Sequence, residues 1–181
     1  ENTQMKTMTR IIHAPLAALT LGWLAVQFAP SGFGVVPPPD GGYPGFNTAE
    51  GRKALFSLDV NNGFANTAVG WFSLLSNVDG DFNTATGAGS LLSNTGSANT
   101  ATGAAALLFN GDGADNTAVG AAALLNNTSG GANTAVGAFA LHDNTTGVDN
   151  TATGFGALMS NTGVDNTANG SGALQSNTIA E

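Results

Sequence analysis

The chain has 181 residues, which is enough for one domain or for one domain preceded by a leader. Only 9% of the residues are charged and the net charge is −8, so a basic surface for nucleic acid or for an anionic membrane is not expected. Because the chain has no cysteine, disulfides, thiolate metal sites and cysteine nucleophiles are excluded.

Residues 1–34 have the order of segments that is typical of a secretory signal peptide. Lys6 and Arg10 precede the uncharged, mostly apolar stretch 11–29, and small residues follow it. A retained membrane anchor is the alternative, but two prolines weaken a spanning helix there, and the stretch is near the lower end of the ~17–25 residues that cross a bilayer. We therefore predict a leader that is removed during export.

Residues 35–46 read VVPPPDGGYPGF. Consecutive prolines favour an extended conformation, and the Asp-Gly-Gly group that follows them favours a turn. We interpret this segment as a linker, or as a cap on the structure that follows it.

The remainder of the chain, residues 47–181, is a repeat. The triplet Asn-Thr-Ala recurs at intervals of 19, 17, 16, 17, 17, 17 and 16 residues. Its copies begin at Asn47, Asn66, Asn83, Asn99, Asn116, Asn133, Asn150 and Asn166. The consensus is N-T-A-x-G-x-x-A-L-x-x-N-T-x-G-x-x, and one such unit is too small to bury a core alone. Stacked units can bury a continuous column of leucines, which is the principle of a solenoid.

The repeat predicts an all-β fold, a parallel β-solenoid or β-roll of about eight coils of 16–17 residues. The Asn-Thr-Ala segment favours a strand, whereas the Ala- and Leu-rich segment leaves open a second strand or one helical turn per coil. The glycine after the triplet lies where the coil reverses, and we expect it to have a positive φ. Stacked asparagines and threonines are expected to form ladders along the axis.

Two acidic segments resemble calcium loops in their Asp, Asn and Gly content. They contain Asp79 and Asp81, and Asp112 and Asp115. The downstream bidentate glutamate of such loops is missing, so turn chemistry is the better interpretation. No metal ligands and no cofactor are predicted.

The repeat region has one histidine, His142, at a position that holds Phe, Leu, Met or Gln in the other coils. A general base needs a partner and a substrate in reach. A histidine tolerated at a half-buried position is the simpler interpretation. We predict no catalytic residues and no enzymatic activity.

Other residues depart from the small-residue consensus. Trp71 and Phe72 are interpreted as filling wider first coils, and the alternative is an aromatic patch with Tyr43 and Phe46 for a sugar or a partner. Sequons for N-glycosylation begin at Asn126, Asn127 and Asn144.

Paired threonines give one further alternative. Thr-Ala-Thr occurs in three copies of the triplet, at 84–86, 100–102 and 151–153. An outward array of such pairs suits ice binding. The pairs are interrupted in the other copies by Glu50, Val69, Val119, Val136 and Asn169. Ice binding is therefore the minority interpretation.

The repeat pattern over residues 47–181 resembles repeats of bacterial secreted proteins of the tail-fibre and trimeric-adhesin type. It is similar in rhythm to the head of trimeric autotransporter adhesins, whose coils form parallel β-rolls. The resemblance implies a bacterial protein of the cell surface and a role in adhesion or trimerisation. The adhesin head has a somewhat shorter coil and a different hydrophobic pair, and the sequence contains no coiled-coil stalk.

Together these observations predict a structural or interaction protein of the cell surface or the extracellular matrix. We expect it to form a fibre or an adhesin-like stalk, with self-association into a head-to-tail filament or a trimer, because the last repeat shows no polar cap. A surface glycan or a protein is a possible ligand, whereas nucleic acid and, after removal of the leader, a membrane are not expected. The alternative function is an ice-binding or glycan-binding solenoid module.

Overall fold

The computed structural model describes residues 44–59 and 61–178. These residues form a short 3-10 turn, Pro44–Phe46, followed by eight strands of three residues each. The strands are β1 Thr48–Glu50, β2 Thr67–Val69, β3 Thr84–Thr86, β4 Thr100–Thr102, β5 Thr117–Val119, β6 Thr134–Val136, β7 Thr151–Thr153 and β8 Thr167–Asn169. Below, coil 1 to coil 8 denote the repeats that contain β1 to β8.

The eight strands form one parallel sheet in which each strand pairs with the next strand in sequence. The register places equivalent residues side by side: Thr100 pairs with Thr117, and Ala101 pairs with Ala118. Every other pair of neighbouring strands has the same register. This arrangement confirms the predicted parallel solenoid, with one repeat per coil.

The core of the solenoid lies between two columns of side chains. The central alanine of each strand points inward, and Ala101 and Ala118 are fully buried. The leucine of each repeat faces the same interior, and Leu107 and Leu124 are also fully buried. Since a three-residue strand alternates its side chains, the residues on either side of the alanine point to solvent. The predicted dry column of leucines is confirmed for the stacked coils.

The glycine after each strand has the positive φ that the sequence predicts. Gly120 has a φ of 137°, and the other seven equivalents lie between 125° and 136°. A Cβ on Gly120 would lie 2.6 Å from the backbone of Gly137 in the next coil. Glycine is therefore required for its conformation and for the close approach of successive backbones.

The Ala- and Leu-rich side of the coil is neither of the two structures that the sequence left open. Within the described residues it forms turns, with no second strand and no α-helical turn. In coil 5, Ala122 and the core Leu124 both have a positive φ, 54° and 51°. Backbone bonds still join the coils here, because Leu124 donates its N–H to Ala140 O at 3.0 Å. Asn126 donates to His142 O, also at 3.0 Å.

The residues just before β1 lie against coil 1. The carbonyl of Gly45 accepts a hydrogen bond from the N–H of Ala65 at 2.7 Å. The predicted leader, residues 1–34, and most of the predicted linker or cap, 35–46, lie outside the described residues. In the part of the chain that the structure describes, no helix has the length and apolar character needed to cross a membrane.

Candidate functional site

Two columns of asparagines run through the solenoid beside the apolar core. The first column contains the asparagine of each triplet. Asn116 donates its backbone N–H and its side-chain Nδ2 to Oδ1 of Asn99, at 3.0 and 3.2 Å. Its Oδ1 then accepts from the backbone N–H of Asn133 at 3.0 Å. Asn116 is fully buried, so these bonds satisfy an amide that water does not reach.

The second column begins at Asn77, and its members lie three residues after the core leucine. Asn127 donates Nδ2 to Oδ1 of Asn110 at 2.7 Å and to Gly130 O at 2.8 Å. Coil 1 has Leu58 at this position, packed against the core. Because the amides of both columns bond to equivalent residues in neighbouring coils, the columns stabilise the stack.

Two of the three glycosylation sequons begin at a buried asparagine. Asn127 and Asn144 are fully buried. Asn126 is half-buried, and its Nδ2 donates to Asp143 Oδ1 at 2.9 Å. Two of the three sequons therefore have no side chain that a glycan can reach in the folded chain.

A small polar cluster surrounds Asp143 on the outside of coils 5, 6 and 7. Its Oδ1 lies 2.7 Å from Nδ1 of His142 and accepts from Asn126, and Ser160 Oγ donates to Oδ2 at 3.5 Å. Burial raises the pKa of Asp143. The hydrogen bonds from Asn126, His142 and Ser160 and the charge of His142 outweigh this effect and lower the pKa below its ordinary value.

The geometry of this cluster does not favour nucleophilic catalysis. Ser160 donates to Asp143, so its hydroxyl is not activated by the imidazole of His142. The ring of Phe139 lies 5.6 Å from that imidazole, with the two ring planes tilted by 44°. As the sequence predicts, His142 is a half-buried residue of the coil surface.

The acidic segments are used in turns. The carboxylate of Asp81 accepts from the backbone N–H of Phe64 at 2.7 Å, and the N–H of Asp81 donates to Ser97 Oγ at 3.0 Å. Asp79, Asp112 and Asp115 are exposed. Among the described residues no three His, Cys, Asp or Glu side chains lie close enough together to hold a metal ion.

The outer face of the sheet presents two parallel columns, which we call the threonine face. The first strand position is threonine in all eight coils. The third strand position carries Glu50, Val69, Thr86, Thr102, Val119, Val136, Thr153 and Asn169. Neighbouring side chains are ~4.8 Å apart between strands and ~6.7 Å apart along a strand. The interruptions seen in the sequence are thus confined to one of the two columns.

A second surface, which we call the apolar face, lies on the Ala- and Leu-rich side of the coils, and its residues range from exposed, such as Trp71 and Phe155, to buried, such as Ala122. It consists of three columns, formed by the first, second and fifth residues after the invariant glycine. In coils 2 to 7 the columns are Trp71, Ala88, Ala104, Ala121, Ala138 and Phe155; Phe72, Gly89, Ala105, Ala122, Phe139 and Gly156; and Leu75, Leu92, Leu108, Leu125, His142 and Met159.

Contacts between these residues show that the three columns are neighbours. Trp71 stacks on Phe72 with 4.2 Å between ring centroids, and Phe139 meets Phe155 edge-on at 5.8 Å. A Cβ on Gly89 would lie 3.1 Å from Cδ1 of Leu108. Trp71 is 54% exposed, so the expectation that it fills the interior of a wide coil is wrong. The interior has no room for it because the alanines and leucines already fill the space.

Of the proposed partners of Trp71, Phe46 is exposed and Tyr43 lies outside the described residues.

Comparison of the chain with protein-family models, with curated proteins and with solved structures gave no match. The fold is therefore established by the geometry of the stack, and the resemblance to adhesin and tail-fibre repeats remains a prediction.

Proposed function

We propose that this chain is a structural protein of the bacterial cell surface or extracellular matrix, in which the stacked coils form a stiff fibre or an adhesin-like stalk. The single observation that carries the proposal is that each coil is bonded to the next on every side. Backbone bonds join the strands, further backbone bonds join the turns, and the buried asparagines form two more ladders.

Such a stack resists bending because a bend must stretch several hydrogen-bond ladders at once.

The polar residues of the surface support the same proposal. The polar residues that depart from the repeat, such as His142 and Asp143, bond to neighbours in the scaffold. The ligand, if the rod has one, would then be held by a surface that repeats from coil to coil.

End-to-end growth of the rod is part of the proposal. Leu174, the core leucine of coil 8, is 54% exposed, whereas Leu158 in coil 7 is fully covered by its neighbour. A further coil that stacks on coil 8 would bury Leu174 and extend the sheet beyond β8. That coil would come from a second copy or from following chain.

Negative-stain electron microscopy of the purified full chain tests this function. The proposal predicts thin rods whose length increases with protein concentration. The variant Leu174→Lys should keep single rods but stop their growth, because a charge would be buried at each junction. Leu125→Lys, on the side of the rod, is the matched control and should grow as the wild type does. Compact particles without rods would refute the proposal.

The threonine face supports a second candidate, binding to ice. The in-register column of eight threonines gives a regular array of hydroxyl and methyl groups on a sheet of short parallel strands. An array of this kind can order water in register with a crystal surface. The candidate predicts thermal hysteresis in a solution of the purified chain.

Matched threonine variants make this test specific. Thr117→Lys and Thr134→Lys place a long charged side chain in the middle of the threonine face and should abolish the thermal hysteresis. Thr145→Lys and Thr162→Lys alter exposed threonines outside the strands and should leave it intact. A wild-type chain without thermal hysteresis removes this candidate.

A further inference from the structure

The dipeptide Asn-Gly occurs three times in the chain, at 62–63, 110–111 and 169–170. Because glycine has no side chain to shield its backbone nitrogen, that nitrogen can attack the side-chain amide of the asparagine before it. The attack requires the asparagine side chain to fold back onto a glycine nitrogen that has given up its own hydrogen bond. The three copies share this chemistry, so their surroundings in the fold decide which of them can react.

The copy at Asn110 is held on both sides of the dipeptide. Asn110 is fully buried, and its Nδ2 donates to Asn94 Oδ1 at 2.7 Å and to Gly113 O at 2.6 Å. The N–H of Gly111 donates to Ser93 O in the preceding coil at 2.9 Å. Reaction here would break an amide ladder and a backbone bond between coils, so this copy is protected.

The copy at Asn169 is held by its glycine. Asn169 is the third residue of β8, and its side chain is exposed. The N–H of Gly170 donates to Thr153 O at 2.8 Å and so joins coil 8 to coil 7. An attack by this nitrogen requires the end of β8 to separate from β7, which protects this copy also.

The copy at Asn62 lies in a turn that projects from the stack. Coil 1 has four residues between Leu58 and Gly63, whereas coil 2 has two at the same place. This turn therefore contains the two extra residues that make coil 1 the longest coil. The side chain of Asn62 is exposed to water within it.

Within the described residues, the hydrogen bonds that hold this dipeptide all end on Asp59. The N–H groups of Asn62 and Gly63 donate to Asp59 O at 3.0 and 2.9 Å. Nδ2 of Asn62 donates to Asp59 Oδ2 at 2.9 Å. Since these three bonds lie within one coil, the turn can open locally while the bonds between coils stay intact.

We propose that Asn62 is a site of spontaneous covalent modification, deamidation through a cyclic imide, whose only co-reactant is water. The nitrogen of Gly63 forms a bond to Cγ of Asn62, and the bond between Cγ and Nδ2 breaks. Nδ2 leaves as ammonia and carries the proton that the glycine nitrogen loses. Water then opens the five-membered imide. Attack at Cγ gives aspartate, attack at the backbone carbonyl carbon of residue 62 gives isoaspartate, and neither route oxidises or reduces any atom.

The modification alters the support of the first asparagine column. Gly63 O accepts from Nδ2 of Asn47 at 2.8 Å, and Gly63 packs so closely on Leu58 that a Cβ would overlap Cδ1 of that leucine. In the product a new carboxylate lies beside Asp59 where Asn62 had donated a hydrogen bond, and the two charges repel. Isoaspartate also lengthens the backbone just before Gly63. We therefore expect modification to loosen coil 1 and to leave the central coils unchanged.

Peptide mass spectrometry of the full chain, incubated at mildly alkaline pH and then digested with chymotrypsin, tests the site. In the folded chain, amide loss at Asn62 should be at least about tenfold faster than at Asn110 or Asn169, because their reaction requires an opening between coils. In concentrated urea the three sites should react at similar rates. Absence of amide loss at Asn62, or similar rates at the three sites in the folded chain, would overturn the proposal.

The variant Asn62→Gln is the matched control. Glutamine keeps the amide, but it would have to close a six-membered ring, which forms much more slowly. The peptide that contains residues 59–64 should then keep all its amides. Asn61 lies in the same peptide, so continued amide loss in this variant would place the reaction at Asn61 and contradict the proposal.

Amide hydrogen exchange of the aged chain tests the structural consequence. Exchange should be faster in coil 1 than before incubation and unchanged in coils 4 to 6. Aged Asn62→Gln protein should show no change in either region. Unchanged exchange of coil 1 in fully modified wild-type chain would contradict the loosening inferred from the contacts of Gly63.

Discussion

Oδ1 of Asn99 accepts hydrogen bonds from both the backbone N–H and the side-chain Nδ2 of Asn116, which lies 17 residues later in the chain. One buried amide thus holds the start of one strand against the start of the next. The same pair of bonds joins Asn116 to Asn133. Removal of one amide leaves its neighbour unpaired in a region that water does not reach.

We predict that Asn116→Ala lowers the free energy of unfolding by about 2–4 kcal/mol, because the buried N–H of Asn133 loses its acceptor. Urea denaturation followed by circular dichroism measures the loss. The control Asn169→Ala changes an exposed asparagine and should stay within about 0.5 kcal/mol of the wild type. Equal unfolding midpoints for the two variants would contradict the proposed role of the column.

The two adjacent leucines of a repeat should differ in their contribution to stability. Leu124 is fully buried in the core, whereas Leu125 is half-buried on the apolar face. Leu124→Ala should cost about 2–5 kcal/mol because it leaves a cavity in a packed column. Leu125→Ala should lower the free energy of unfolding by about 1 kcal/mol, since this side chain is partly exposed and its removal leaves no enclosed cavity. The two unfolding curves, measured below the concentration at which the chain associates, test the difference.

Two glycines should respond differently to alanine. In Gly120→Ala the new methyl group would meet the backbone of Gly137 at 2.6 Å at a φ of 137°, so the coils must separate. We expect a loss of about 3 kcal/mol or more. Gly156 has open space and a φ of 62°, and Ala105 has a similar φ at the equivalent position. Gly156→Ala should therefore cost only about 1 kcal/mol, and a larger loss than for Gly120→Ala would refute this account.

The hydrogen bonds around Asp143 predict a pH dependence of stability. The pKa of Asp143 is lowered in the folded chain from its ordinary value of 3.8. A carboxyl whose folded pKa is depressed contributes stability above its unfolded pKa, and this contribution is lost as the pH falls through the folded pKa. Asp143→Asn should therefore be less stable than the wild type at about pH 6, and the difference should shrink below about pH 4.

The carboxyl carbon resonance of Asp143 gives a direct check of this prediction. Its titration in the folded protein should have a midpoint below 3.8. A midpoint above that value would mean that burial outweighs the hydrogen bonds from Asn126, His142 and Ser160.

The sequence was sufficient to predict the parallel stack because the stack is made of strictly local signals. A triplet such as Asn116-Thr117-Ala118 recurs at one coil length, and each coil has one core leucine and one glycine in phase with it. Because the triplet, the leucine and the glycine all recur in phase, the fold must place equivalent residues side by side. The leader could not be compared, since residues 1–43 lie outside the described part of the chain.

The turn side could not be predicted, because the backbone there contradicts local preference. Leu124 has a φ of 51°, a region in which a leucine is disfavoured and a glycine or an asparagine would be expected. Burial of the leucine and the backbone bond to Ala140 offset this cost. From the letters Ala-Ala-Ala-Leu-Leu alone, helix propensity indicates the wrong structure.

The buried asparagines were predicted only in part. The sequence indicated ladders of asparagines along the axis, but it did not show which asparagines are buried, because asparagine is also common in exposed turns. The fixed distance of three residues between Leu124 and Asn127, which recurs in coils 2 to 8, was the available signal. Its meaning depends on the partner of each amide, and that partner is the same residue one coil away.

Methyl-to-methyl nuclear Overhauser effects in a protein labelled at alanine and leucine methyl groups test the central claim most directly. The account predicts cross-peaks between successive members of each column: Ala101 with Ala118, Ala118 with Ala135, and Leu107 with Leu124. All of these pairs are 17 residues apart and are fully buried. Absence of these cross-peaks, together with contacts between residues three and four apart in the Ala- and Leu-rich segments, would contradict the stacked solenoid.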